Sequence, residues 1–454
     1  MDFNDSPEEA AYRAKARAWL DVNATLRDPD APKANMLDEP DGVLVEKSKA
    51  WQLRKYEAGW ACLRWPKEFG GQEASAMESV IFGQEESRCD LPPSIYGIGH
   101  GMLGPTIMAH GSDEQKDRFL RNMAKGDEVW CQLFSEPDAG SDLAGLKTKA
   151  VKDGDDWVLN GQKIWTTGAQ YCKWGMLVAR TDPNAAKHAG LTYFIVDMEV
   201  PGVEIRPIRQ MSGASNFNEV FFADVRTPDE NRLGAVGDGW AVAITTLMNE
   251  RSSIGSSLGG GAGIRDLVKL AQQVEFNDKP AIEDGGVRRR IADFAVRRSG
   301  LKYTGQRGLS ALSQGQTPGP EASIGKLVAA ISGLEMGAFG MELQGAAGLL
   351  AGEDGPADPA WQRIYLGMPG LRLAGGTDEI LRNIIAERVF GMPGEPRVDK
   401  GKPFKDIPYF DELTDAVLHL LALDSGTSTH PVQVRAAQAR ELLAISVTLS
   451  DGEE

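Results

Sequence analysis

Between residues 129 and 234 the chain is written in short β-branched and aromatic runs broken by turn residues, whereas both flanks keep helical periods. Runs such as Trp157-Val158-Leu159-Asn160-Gly161 and Leu191-Thr192-Tyr193-Phe194-Ile195-Val196 suit a pleated sheet, and Asp153-Gly154 and Asn160-Gly161 are turn signals. An antiparallel β domain is predicted there. From residue 7 to about 125, Ala-, Leu- and Glu-rich runs predict helices, interrupted at Asp28-Pro29-Asp30-Ala31-Pro32, Pro40, Gly70-Gly71 and Pro92-Pro93. Helical periods return from 239 to about 391. The order predicts an α+β chain: an N-terminal helical domain over 1–127, a middle β domain over 128–235, a C-terminal helical bundle over 236–396 and an extension over 397–454. Within the extension, 410–423 and 432–445 have the apolar spacing of helices that dock on the bundle or a partner, or else form a loosely ordered tail.

Composition narrows the classes. A chain of 454 residues exceeds one compact core and suggests about two to four domains. With 42% hydrophobic and 25% charged residues it reads as a soluble globular protein. A net charge of −16 opposes general binding to nucleic acid or acidic membrane, so any phosphate site must be local. Cys62, Cys89, Cys131 and Cys172 form no close pair along the chain and no Cys-x-x-Cys, which indicates neither a disulfide framework nor a zinc site. His100, His110, His188, His419 and His430 lack metal-ligand spacing, so no metal is expected. Met1-Asp2-Phe3-Asn4-Asp5-Ser6-Pro7-Glu8-Glu9 lacks the basic flank and apolar stretch of a secretion signal, and a reducing cytoplasm is the predicted setting. Residues 327–350 are apolar but carry Glu335 and Glu342, which predicts a buried bundle helix instead of a membrane span.

The richest chemistry lies in Trp130-Cys131-Gln132-Leu133-Phe134-Ser135-Glu136-Pro137-Asp138-Ala139-Gly140-Ser141-Asp142 and in Gly161-Gln162-Lys163-Ile164-Trp165-Thr166-Thr167-Gly168. Ser135, Ser141 and Thr167 bring hydroxyls that can bond a polar ring edge or a phosphate, and Phe134 and Trp165 bring flat apolar surface. Together they suit a heteroaromatic cofactor. The two runs resemble the flavin-binding core of the acyl-CoA dehydrogenase family, with the acidic, Pro, Gly and Ser positions in order and Trp-Thr-Thr at the family's spacing. The resemblance extends from residue 1 to about 400. It implies noncovalent FAD, an acyl-CoA substrate, a separate electron-transfer flavoprotein as acceptor, and a dimer or tetramer of like or unlike chains. It also implies that Thr167 faces flavin N5, Ser135 the pyrimidine edge, Trp165 the ring face, and Ser141 the cofactor or substrate phosphates. Thr377 and Glu379 would lie near the FAD of the same or a neighbouring subunit.

Oxidising an acyl thioester at its α and β carbons needs a base for the α proton and a hydride acceptor, and no protein side chain accepts hydride. On a helix, Ala243, Leu247, Glu250 and Ile254 fall on one side by steps of three and four, which places a carboxylate in an apolar stripe. From the residues alone, Glu250 is either a base or one half of an ion pair with Arg251 or another bundle cation. Many family members place the base in the late loop matching Leu373-Ala374-Gly375-Gly376-Thr377-Asp378-Glu379, at the position that is Gly375 here. The branch resembling isovaleryl- and long-chain acyl-CoA dehydrogenases instead uses a Glu before an Arg on the first helix after the β domain, which matches Glu250-Arg251. The resemblance therefore implies Glu250 as the base, Arg251 near the substrate, and a backbone N–H from Gly375 to the thioester carbonyl.

Some positions depart from the family. This chain has Gln273-Val274-Glu275-Phe276-Asn277 where many relatives carry an Arg and a Phe-Gly that clasp the partner's FAD. It has Glu342-Leu343-Gln344-Gly345-Ala346 where they carry a Gln followed by a Gly-Gly turn. These departures, with Gly375, keep open a non-catalytic subunit that completes a partner's site; an acyl-CoA oxidase that uses oxygen is the alternative within the fold. Gly99-His100-Gly101-Met102-Leu103-Gly104 matches a dinucleotide fingerprint, but no strand precedes it, so a packing role is expected. Gly255-Ser256-Ser257-Leu258-Gly259 continues a helix, which argues against a hydrolase elbow.

Overall fold

A computed structural model describes residues 5–28, 41–257, 263–313, 319–350, 355, 359–394 and 399–407. The breaks expected at 28–32 and Pro40 and the helices expected at 410–423 and 432–445 lie outside the described residues, apart from Asp28. In the N-terminal domain the helices are α1 (Pro7–Asn23), α2 (Asp41–Glu57), α3 (Ala76–Glu86), α4 (Gly104–His110) and α5 (Asp113–Lys125). Three of these starts are dictated locally. Ser6, Ser75 and Ser112 each accept from the backbone N–H three residues on, and Glu9, Glu78 and Gln115 reach back to the cap N–H. The fingerprint-like glycines lie in a wide π-helical turn over Gly99–Leu103 that leads into α4, and a Cβ on Gly104 would strike the Trp65 indole. That is the packing role expected of them. Short strands β1 (Thr25–Leu26) and β2 (Cys89–Asp90) pair beside this domain.

The middle domain holds β3 (Trp130–Leu133), β4 (Lys149–Asp153), β5 (Asp156–Thr167), β6 (Trp174–Arg180), β7 (Leu191–Asp197), β8 (Val203–Ile208), β9 (Phe217–Pro228) and β10 (Arg232–Leu233). They make one eight-stranded sheet in the order β10-β7-β6-β4-β5-β9-β8, with β3 on β6. The expected antiparallel sheet is in fact mixed. β3 runs parallel to β6, Trp130 opposite Trp174 and Leu133 opposite Leu177, and β4 meets the end of β6 in parallel at Lys149 and Arg180. A parallel pair needs a long connection, and the β4–β5 hairpin supplies it. The same pairing brings Cys131 and Cys172 together although they are far apart in sequence. Both are free thiols, and burial followed by the Cys131 neighbour pushes Cys172 well above the ordinary thiol range.

Side-chain alternation divides the sheet's two faces. Trp130, Met176, Val178, Tyr193 and Ile195 pack one core with Phe119, Leu120, Val242 and Ala243 from helices. Cys131, Leu133, Leu177, Phe194 and Val196 pack the other with Val220 and Phe222. The C-terminal domain contains α6 (Gly239–Ser257), α7 (Ile264–Gln273), α8 (Gly285–Ser313), α9 (Ser323–Leu343), α10 (Ala360–Leu373) and α11 (Asp378–Ile384). Leu267, Ile291, Phe294, Met336, Phe339 and Trp361 form its core. The apolar helix expected over 327–350 is α9, which starts and stops earlier, with a further tight turn over Gly345–Leu349. By length and composition α9 could cross a membrane, but it packs between α8 and α10, and Glu335 and Glu342 pair with Arg297 and Arg290 of α8.

Candidate active site

The end of β3 is stitched to the middle of β5, which gathers both sequence runs into one place. The Ile164 N–H donates to the Ser135 carbonyl at 2.8 Å. Beneath this contact the Lys163 ammonium, fully buried, donates to the Phe134 carbonyl and to Glu136 Oε1, each at 2.9 Å. Glu136 also accepts from the Lys147 N–H at 2.6 Å and the Thr148 N–H at 2.9 Å. Burial alone would raise its carboxyl, but the Lys163 charge and these hydrogen bonds outweigh burial and hold it below the usual range. Burial draws Lys163 below its ordinary value, against the pull of Glu136. Neither residue was singled out from the sequence.

β5 then bulges. Its pairing with β9 shifts register between Lys163 and Thr166, and Trp165 sits there in the left-handed region at φ +61. For a non-glycine residue that conformation costs roughly 1–3 kcal/mol. The result is an indole turned outward, 55% exposed and edge-on to Phe217. Ser135 and Thr167 are half-buried and Ser141 is exposed. Among the described residues none of these three hydroxyls has a protein partner, and the buried Thr166 hydroxyl beside them is also unpartnered. The Phe134 ring behaves otherwise than expected: it is buried edge-on against Tyr193 and offers no open face. It shares strand parity with Trp130, and that face is core.

Glu250 lies on α6, half-buried, with Ala243 buried and Leu247 packed on the same core. The Gln132 side-chain amide of β3 donates to Glu250 Oε2 at 3.3 Å. One turn before Glu250, the buried Thr246 hydroxyl lies 3.0 Å from both the Tyr193 and Thr106 hydroxyls. Burial, and then the Glu250 charge, raise the Tyr193 phenol above its ordinary range. The side chains of Arg251 and Ile254 lie outside the described part.

The late turn is held by α9. Gly375 and Gly376 take φ of +65 and +97, a path that favours glycine, and Thr377 caps α11 by accepting from the Ile380 N–H. Lys326 of α9 donates to the Gly376 carbonyl at 2.7 Å and the Arg372 carbonyl at 3.0 Å, while Arg372 bonds buried Asp378 at 2.6 Å. Lys326 and Asp378 were also missed in the sequence. Glu379 is exposed and pairs with Arg382. Among the described residues no hydrogen bond or ion pair joins Gly375, Thr377 or Glu379 to the β domain. Beside Ser141, Asp142 bonds Lys187, which also reaches Asp399 at 3.1 Å, so the described part of the extension docks on the β6–β7 loop. At one departure from the family, β11 (Glu275–Phe276) and β12 (Lys279–Pro280) form a hairpin with Asn277 and Asp278 both left-handed.

Comparison with known proteins agrees with this arrangement. Family models for the N-terminal, middle and C-terminal domains of acyl-CoA dehydrogenase match residues 6–127, 131–225 and 237–390. The acyl-CoA dehydrogenase IpdE1 of Mycobacterium tuberculosis is 38% identical over 399 residues, 85% of this chain and 98% of that relative. The solved ChsE4-ChsE5 complex from Mycobacterium tuberculosis superposes with a TM-score of 0.70 at 29% identity, over 87% of this chain and 100% of that one. The Tcur3481-Tcur3483 steroid ACAD gives 0.71 at 27% identity over the same shares. The chain belongs to the acyl-CoA dehydrogenase family. It is a flavoprotein oxidoreductase acting on a CH–CH bond, with FAD as its cofactor.

The residues present fit that cofactor. An exposed indole on a strained bulge, beside unpartnered hydroxyls on two stitched segments, offers a flat face and a polar edge to an isoalloxazine ring. Trp165→Gly is expected to leave the thermal midpoint of the FAD-free protein unchanged or higher, because glycine accepts φ +61, while FAD affinity falls by at least about tenfold. Flavin retention on gel filtration and a melting curve check both halves; undiminished retention would mean that the indole does not line the ring.

Proposed function

We propose that the chain oxidises the Cα–Cβ bond of an acyl-CoA thioester to the trans-2-enoyl thioester, with Glu250 as the base and a separate electron-transfer flavoprotein as acceptor. One observation carries this reading: a half-buried carboxylate on α6 reaches β3, the strand that leads into Ser135, through a hydrogen bond from Gln132. A carboxylate withdrawn from water is a stronger base, and substrate binding would withdraw it further. Glu250 takes the α proton as the Cα–Cβ double bond forms. Bound FAD would supply the acceptor for the hydride that leaves the β carbon. Ser135, Thr167 and Trp165 would hold and orient its ring, Ser141 would meet phosphate oxygens, and the Gly375 N–H would polarise the thioester carbonyl.

The likeness to a solved steroid ACAD supports a bulky, steroid-derived acyl group. The paired names of the two solved complexes support assembly with a second, related chain. Four described free cysteines support a cytoplasmic setting. The test is aerobic turnover with and without electron-transfer flavoprotein. The enoyl product should accumulate only when that acceptor is supplied, and rapid peroxide formation without it would identify an oxidase instead.

A further inference from the structure

We propose that Gln132 is a positioning residue for the base: its amide fixes the Glu250 carboxylate and favours its ionised form, ready to take the α proton. This rests on the reading of Glu250 as the base. Three observations carry it. Alternation along β3 puts Gln132 on the face that carries Trp130, and that face belongs to the apolar core shared with Val242 and Ala243 of α6. A primary amide there is costly unless it is bonded. Its bond runs from Nε2 to Glu250 Oε2 at 3.3 Å, from strand to helix. The neighbouring hydroxyls are engaged elsewhere: Thr106 donates to the Met102 carbonyl at 2.8 Å, and Thr246 shares its bonds with Thr106 and Tyr193.

The described charges on the elements packed against α6 have partners of their own. On the elements packed against α6, Tyr193 feels the Glu250 charge, and His110 bonds Thr245. His100 is bonded to the Met123 carbonyl, Arg180 to the carbonyls of Leu146, Ala144 and Lys187, and Asp197 to Lys173. Lys326 faces Asp378, Glu335 and Glu342 pair with α8 arginines, and Glu321 accepts from the Gly319 N–H. A hydrogen bond donated to a carboxylate favours the charged form, so its loss makes the carboxyl harder to ionise.

The experiment combines anaerobic flavin reduction by acyl-CoA with steady-state turnover on an artificial electron acceptor, in the FAD-loaded enzyme as a function of pH, in wild type, Gln132→Leu, Gln132→Glu and Glu250→Gln. Flavin absorbance confirms that each variant is loaded. Gln132→Leu should move the acid limb of kcat/KM up by about one pH unit. Gln132→Glu, which keeps shape but adds a like charge, should move it further. The plateau rate should fall about tenfold in both while KM changes less than about twofold, the pattern of a misplaced base instead of a lost binding contact. If neither limb moves while Glu250→Gln is inactive, the positioning role is overturned and the base stands. If Glu250→Gln reduces flavin as fast as wild type, the base assignment itself has failed, and the role of Gln132 fails with it.

Discussion

Glu250→Gln is expected to bind acyl-CoA nearly as wild type does and to reduce its flavin at least about a hundredfold more slowly. The substitution keeps length, shape and hydrogen bonding, so the contact with Gln132 and the packing beside Leu247 survive. What disappears is the capacity to take a proton. Because the loss falls on the chemical step, kcat and kcat/KM should drop together. Glu250→Asp should fall between, since the shorter arm retracts the carboxylate from the α carbon and misplacement by an ångström is costly. Stopped-flow reduction under excess substrate checks this. An undiminished rate in Glu250→Gln would move the base elsewhere or make the chain a non-catalytic partner.

Lys163→Met should disrupt the flavin site from beneath. Removing one partner of a buried ion pair costs about 3–5 kcal/mol, because Glu136 is then left charged and buried. The lost bond to the Phe134 carbonyl also loosens the segment that carries Ser135. The pH dependence has a definite sign. In the wild type Glu136 is held below its ordinary value, so its contribution to stability is present above that value and is lost as pH falls through the folded pKa. Without Lys163, burial dominates and the folded pKa rises above the unfolded one, so the variant loses stability as pH rises. The gap in thermal midpoint between variant and wild type should therefore widen from acid to neutral pH, with FAD lost in parallel. Equal melting at both pH values together with full flavin retention would show the pair to be dispensable.

Periodicity reports faces and spans, and it located the helical flanks, the β region and α9. It does not report which strands are neighbours. The mixed sheet was illegible for that reason: β3 pairs with β6 across the whole β4–β5 hairpin. The meeting of Cys131 with Cys172 follows from the same pairing and was equally hidden. Other omissions had a signal. Lys163 shares strand parity with Trp157 and Leu159, both buried, so a charge stood at a core-facing position and demanded a partner. Gln132 shares parity with Trp130, and so does Phe134, which is why that ring is core and not an open platform. Lys326 lies one turn before buried Ala330, again a charge on a buried helix face. In each case parity or period marks the residue, but its partner, Glu136, Glu250 or Asp378, comes from a distant segment and only the fold supplies it.

Anaerobic titration of the purified, FAD-loaded protein with acyl-CoA thioesters, straight-chain and steroid-derived, tests the central claim most directly. With at least one thioester of the steroid class the flavin absorbance should bleach, and the trans-2-enoyl product should form in step with it. A loaded flavin that stays oxidised with every thioester would contradict that claim, as would a colourless protein that cannot be reconstituted with FAD.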